Sequence, residues 1–170
     1  PGLRTLQDKG PLTEIFQRLK AIDFTKALLV KVAPDLTLGE LDDVVDVVHN
    51  LQLTGIVATN TTLDRSKLLH DPGESGGLSG RPLRDLANGT LQYLATTCDR
   101  DVVLIGVGGI FTGDDLYTKI ALGAHLCQLY TGFVYRGPGA AGMILKEFVS
   151  RLDREGIGSL DELRGSAVES

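Results

Sequence analysis

Ile105-Gly106-Val107-Gly108-Gly109 and, one helix later, Gln128-Leu129-Tyr130-Thr131-Gly132 decide how this chain reads. Each is an apolar strand that stops at small or hydroxyl residues and then enters a helix. Paired glycines at a strand's C-terminal end let the backbone approach a ligand closely and turn N–H groups toward it. A helix N-terminus just behind adds positive dipole. Two such ends on adjacent parallel strands make an anion cradle, so the run points to a phosphorylated ligand.

Outward from that run, strands and helices alternate. Pro11 to Ala21 carries Leu12, Ile15, Phe16 and Leu19 on one helical face. Ala27 to Val32 is a nearly continuous apolar run, the mark of a parallel strand buried on both faces. Leu38 to Leu51 reads as a helix, with Thr37 as its N-cap and Glu40 completing a capping box. Gly55 to Thr59 is a second strand, followed by a long polar segment from Asn60 to Arg81. Pro82 to Thr97 is a helix with proline in its first turn. Val102 to Val107 and His125 to Tyr130 are strands, and Gly113 to Leu122 and Gly139 to Glu155 are helices.

A leading helix and four βα units imply an α/β fold with a parallel sheet. Two architectures fit: a small doubly wound sandwich, and the second half of a (β/α)8 barrel. The loops favour the barrel. The αβ connections are short, while the βα ends carry the glycines, the polar residues and the long segment. In such barrels the phosphate site sits after the last two strands, near a short extra helix. Four strands cannot close on themselves and would leave apolar edges exposed, so upstream sequence is expected to complete the barrel. The opening Pro1-Gly2-Leu3-Arg4, with no leading Met, is read the same way.

Seventeen basic and 22 acidic side chains give a net charge of −5 over 170 residues, which disfavours nucleic acid as a partner. Hydrophobic content is 42%, enough for a core, and no apolar run approaches the roughly 20 residues of a spanning helix. No signal or transit peptide is recognisable. Cys98 and Cys127 read as buried thiols rather than a disulfide, and no Cys/His spacing points to a metal.

Four groups could carry chemistry. Lys31 lies inside Leu28-Leu29-Val30-Lys31-Val32-Ala33-Pro34, where burial would cost several kcal/mol unless the cation is paired or aimed into a site. Thr59-Asn60-Thr61-Thr62 stands where a strand becomes a loop. An Asn amide there suits a flat ligand with carbonyl and N–H groups, and a simple turn is the alternative. Gly76-Gly77-Leu78-Ser79-Gly80-Arg81-Pro82 closes the long loop before a helix and fits an anion contact or a lid hinge. Asp35, Asp85, Asp114 and Asp115 read as helix-start residues with capping or dipole roles and no chemistry. Gly106-Val107-Gly108-Gly109 is not a dinucleotide fingerprint, since a third glycine and a correctly spaced acid are missing.

Taken together, Leu29-Val30-Lys31-Val32-Ala33-Pro34-Asp35-Leu36, Thr59-Asn60-Thr61-Thr62, the Gly76 to Leu83 run, Ile105 to Ile110 and Gln128-Leu129-Tyr130-Thr131 resemble dihydroorotate dehydrogenase. The likeness is to the class 2, quinone-reducing branch, and it extends in order over nearly the whole chain. It implies residues 1–170 as the C-terminal half of one FMN-binding (β/α)8 barrel domain, with 63–75 as the active-site lid loop.

By this resemblance Lys31 contacts the flavin ring, where a cation stabilises negative charge on the reduced cofactor. Thr59, Gly80, Gly109, Tyr130 and Thr131 bind FMN, with Ser79 and Gly108 as adjacent contributors. Asn60 and Thr61 hold dihydroorotate or orotate. The implied reaction oxidises dihydroorotate to orotate in pyrimidine (UMP) biosynthesis, with hydride passing to FMN and electrons to ubiquinone or menaquinone. The base is a serine in an Asn-x-Ser-Ser-Pro-Asn-Thr loop expected just upstream of Pro1, so no catalytic base and no metal ligand are assigned here. Quinone and membrane contact are assigned to N-terminal helices upstream. Peripheral inner-membrane localisation follows, mitochondrial in a eukaryote and at the cytoplasmic membrane in a bacterium. The alternatives are a class 1 enzyme using fumarate or NAD, and a non-catalytic phosphate-binding half-barrel.

Overall fold

The computed structural model describes residues 3–22, 25–70 and 73–168. Pro1, Gly2 and residues 71 and 72 of the 63–75 loop lie outside them. Strands β1 (Leu29–Val32), β2 (Gly55–Ala58), β3 (Val103–Val107) and β4 (Leu126–Gln128) form one parallel sheet in the order β1-β2-β3-β4. Helix α1 (Lys9–Ala21) leads. Helices α2 (Leu38–Asn50), α3 (Arg84–Thr97) and α4 (Gly113–Ala121) each connect one strand to the next. Helices α5 (Thr131–Arg136), α6 (Ala140–Glu155) and α7 (Leu160–Leu163) follow β4.

The period-two alternation of side chains decides what each strand faces. Val30, Val32, Ile56, Ala58 and Leu104 point to the helical layer, where they pack with Val44, Val48, Leu91, Leu94 and Ile120. The register sets Lys31 opposite Val57, Val57 opposite Ile105, and Ile105 opposite Leu126, so these four form one row across the other face. Leu126 in that row is 60% exposed. The expectation that Ala27 to Val32 is buried on both faces therefore fails, since β1 alternates as β3 and β4 do, while β2 is buried on both. The runs read as continuously apolar because both faces carry apolar residues, although helices cover one. Lys31 is corrected with them: its side chain is exposed on the uncovered face and bears no burial penalty.

Other boundaries shift for local reasons. Pro82 opens a 3-10 turn, Arg81–Leu83, before α3 begins at Arg84. The fourth strand is three residues long, and the helix it enters, α5, starts at Thr131 and has six residues. Six residues with a glycine at the second position carry no readable helical periodicity. The Thr37–Glu40 capping box is present in both directions. Thr37→Ala should destabilise the protein by about 1 kcal/mol in urea unfolding, since the first turn of α2 loses a side-chain acceptor.

Candidate functional site

A cavity of about 390 Å³ opens at the C-terminal ends of the strands. Lys31, Thr59, Asn60, Thr61, Ser79, Gly80, Gly108, Gly109, Tyr130 and Thr131 all line it, from four separate βα ends. Gln128, Leu129 and Gly132 of the strand-end run, to which the resemblance gives no binding role, line it too. Gln128 was legible as the last strand residue on the Lys31 face, by the same alternation. A wider hollow of about 680 Å³ lies at the opposite end of β3 and β4, beside Cys98, His125 and Arg164. It holds none of the glycine-ended strand termini.

Backbone bonds fix the floor of the cavity. The Thr59 N–H donates to Val107 O at 3.1 Å and the Asn60 N–H donates to Val32 O at 2.7 Å, so this turn ties β1 and β3 together. Asn60 Oδ1 accepts from the Thr61 N–H at 2.8 Å, which leaves the Asn60 amide donors for a ligand. Across the cavity the Thr131 hydroxyl bonds the Ser79 hydroxyl at 2.9 Å, joining the loop end to the start of α5. That start has no side-chain cap.

The glycine turn after β3 is shaped for an anion. Gly108 and Gly109 have φ of 109° and 75°, conformations open to glycine at little cost. A Cβ on Gly109 would lie 2.7 Å from the Arg84 Cα, so the turn sits directly on α3. Among the described residues, the N–H groups of Gly108, Gly109 and Ile110 have no partner within the protein. Backbone donors left unpaired around a cavity are costly unless water or a ligand takes them.

Asp115 braces this turn. Its Oδ2 accepts from the Phe111 N–H at 2.9 Å, the Thr112 N–H at 3.0 Å and the Thr112 hydroxyl at 2.9 Å. Its Oδ1 accepts from Arg84 Nη1 at 3.1 Å. Burial pushes the carboxyl up, but these hydrogen bonds outweigh it and hold the group below its ordinary range. Asp35, by contrast, does not start a helix. Its carboxylate accepts from the Thr62 hydroxyl and, at 3.2 Å, from the Leu63 N–H, anchoring the loop beside Asn60 and Thr61. Thr62 and Leu78 pair as an antiparallel bridge at the neck of that loop. Arg65 donates to Glu74 O and Gly76 O across it.

The buried lysine of this chain is Lys119 on α4, which is 1% exposed. Its stem fills the space above Gly106, where a Cβ would stand 3.1 Å from Lys119 Cδ. Lys119 Nζ has no hydrogen-bond partner. Burial pushes its ammonium down to about 8, against the opposing pull of Cys127 and Asp115. Burial also raises the Cys127 thiol to about 12. Both cysteines are free thiols.

Residues 1–152 match the family model described as dihydroorotate dehydrogenase. The chain belongs to the dihydroorotate dehydrogenase family. It is 44% identical to a dihydroorotate dehydrogenase (quinone) of Gloeobacter violaceus, over 98% of this chain and 48% of that protein. It is equally identical to one of Halobacterium salinarum strain R1, over 98% of this chain and 47% of that one. The chain thus spans about half the length of the curated dihydroorotate dehydrogenases it matches. In structure it resembles ligand-free dihydroorotate dehydrogenase of Eimeria tenella. The TM-score is 0.90 at 32% identity, covering 99% of this chain and 53% of that one. The ferulenol complex from the same organism gives 0.88 at 33%, covering 96% and 50%. The four-stranded sheet is accordingly half of the barrel seen in those dihydroorotate dehydrogenases.

Proposed function

We propose that this chain forms the cofactor-holding half of a quinone-dependent dihydroorotate dehydrogenase that binds FMN and oxidises dihydroorotate to orotate. The observation that carries the reading is the cavity itself. Three unpaired backbone N–H groups at Gly108, Gly109 and Ile110 suit a phosphate dianion, and neutral amide and hydroxyl groups at Asn60 and Thr61 suit a flat imide. Family membership and relatives named for the quinone reaction support it.

When bound, FMN supplies an acceptor for the hydride leaving C6 of dihydroorotate and passes the electrons on to quinone. The remaining steps belong to the protein. The turn from Gly108 to Ile110, with Tyr130, Thr131, Ser79 and Gly80, holds the phosphate and ribityl end. Asn60 and Thr61 orient the substrate through amide and hydroxyl groups. Lys31 is the one cationic side chain among the described residues lining the cavity, and it stands where negative charge develops. The proton at C5 goes to a serine in the other half of the barrel. The loop whose neck is closed by the Thr62–Leu78 bridge lies beside the substrate and helps to keep water out.

The partners in this reading are dihydroorotate, orotate and a membrane quinone, with no nucleic acid. A lipid-soluble acceptor places the enzyme peripherally at an inner membrane, mitochondrial or bacterial. Among the described residues no helix is long and apolar enough to cross a membrane.

The test pairs this chain, by co-expression, with the N-terminal half of the Gloeobacter violaceus relative. Dihydroorotate-dependent reduction of a ubiquinone analogue is expected to exceed reduction of fumarate or NAD. Turnover with fumarate or NAD alone would move the protein to class 1, and a complex that retains no flavin would defeat the reading. In the same complex Lys31→Ala should slow bleaching of the flavin by dihydroorotate roughly 10²-fold while FMN is still retained. An unchanged bleaching rate would remove Lys31 from the reaction.

A further inference from the structure

The turn from Gly108 to Thr112 presents the unpaired N–H groups, yet two adjacent glycines are the least constrained backbone a chain can offer. Something outside the turn must hold it. Arg136 donates to the Phe111 carbonyl from the α5 side, and Asp115 holds the turn from within. A capping box needs only the exchange between Thr112 and Asp115, and that exchange is present. The same carboxylate also takes the Phe111 N–H and the Arg84 guanidinium, two donors beyond the needs of a helix start.

Arg84 is the first residue of α3, and its backbone is what a side chain at Gly109 would strike. One carboxylate therefore lashes the start of α3, the glycine turn and the start of α4 together. The Asp115 side chain is only 10% exposed, against 43% for Arg84, so the pair reaches from the interior to the rim of the turn. An acidic group beside an anion site would normally oppose the anion. Here Arg84 neutralises it, so its remaining effect is on backbone geometry.

We infer that Asp115, paired with Arg84, is the positioning residue that aims the Gly108–Ile110 N–H groups and so sets selectivity for the phosphorylated over the unphosphorylated flavin. The inference rests on the FMN reading above and adds to it a residue that touches neither cofactor nor substrate. Asp115 acts only through the turn, and its influence falls on the phosphate and not on the ring.

Flavin titration of the complex described above tests this, with FMN and riboflavin as the two probes. The wild-type protein should prefer FMN. Asp115→Asn should weaken FMN roughly 10- to 100-fold and leave riboflavin unchanged, so the affinity ratio collapses. A residue that merely stabilises the fold would weaken both flavins together, and an unchanged ratio in Asp115→Asn overturns the inference. Arg84→Gln keeps the three bonds from Phe111 and Thr112. It should lower the ratio in the same direction by a smaller factor, and it carries the test if Asp115→Asn does not fold. A wild-type protein that binds the two flavins equally overturns the FMN reading and this inference with it.

Discussion

Valine in place of Gly109 is expected to abolish retention of phosphorylated flavin. Two effects act together. At φ 75° a β-branched residue is strongly disfavoured, and its Cβ would lie 2.7 Å from the Arg84 Cα, a backbone atom of a helix that cannot step aside. Relief requires the turn to swing off α3, and the N–H groups of Gly108 and Ile110 swing with it. The loss should therefore be of FMN itself, read as missing absorbance near the flavin band in purified complex. Far-UV circular dichroism should stay close to wild type, because the turn lies outside the core formed by Val30, Ile56, Leu91 and Leu104. A folded Gly109→Val protein carrying stoichiometric FMN would refute the cradle.

Lys119→Met is expected to stabilise the protein. Lys119 is buried with no partner for its ammonium, and methionine replaces its stem with an unbranched apolar chain of similar length. The sign follows from linkage. The folded pKa of about 8 is below the ordinary 10.5, so between those values the unfolded chain binds more protons than the folded one. The stability contributed by this group rises with pH across that window, and below pH 8 the full penalty is present. At pH 7 the variant should be more stable on the order of 3 kcal/mol, and by pH 10.5 most of that gap should close. Cys98 titrates at the upper end in both proteins and cancels, whereas Cys127 interacts with Lys119, so both urea curves are measured in a Cys127→Ala background. A gap of the same size at pH 7 and pH 10 would show that packing, and not charge, sets it.

The glycine turn is legible because glycine pairs at strand ends leave a strong local mark, while the other site residues follow from the family resemblance. All ten site residues chosen from the sequence meet at one cavity. Lys31 reads as a cation in a buried strand aimed into a site, and of these it keeps the aim but not the burial. Its neighbours are apolar, but alternation places it on the open face, whereas Val30 and Val32 enter the core. Lys119 went unread although its spacing held the signal: it stands three residues after Leu116 and next to Ile120, on the apolar side of α4. Its burial depends on Gly106 across the layer, which helical periodicity alone cannot reveal. Asp115 looked like an ordinary cap because the cap is local, whereas its bond to Arg84 spans 31 positions. The same is true of Asp35, whose partners Thr62 and Leu63 lie 27 and 28 positions away.

The Thr62–Leu78 bridge has a thermodynamic meaning for whatever enters the cavity. With its neck closed and its Leu63 end held by Asp35, the segment between is a tethered ring and not a free strand. The entropy of bringing its ends together is lost when the protein folds, and it is not lost again when a ligand arrives. Ordering such a ring over a substrate opposes binding less than ordering an open loop of the same length.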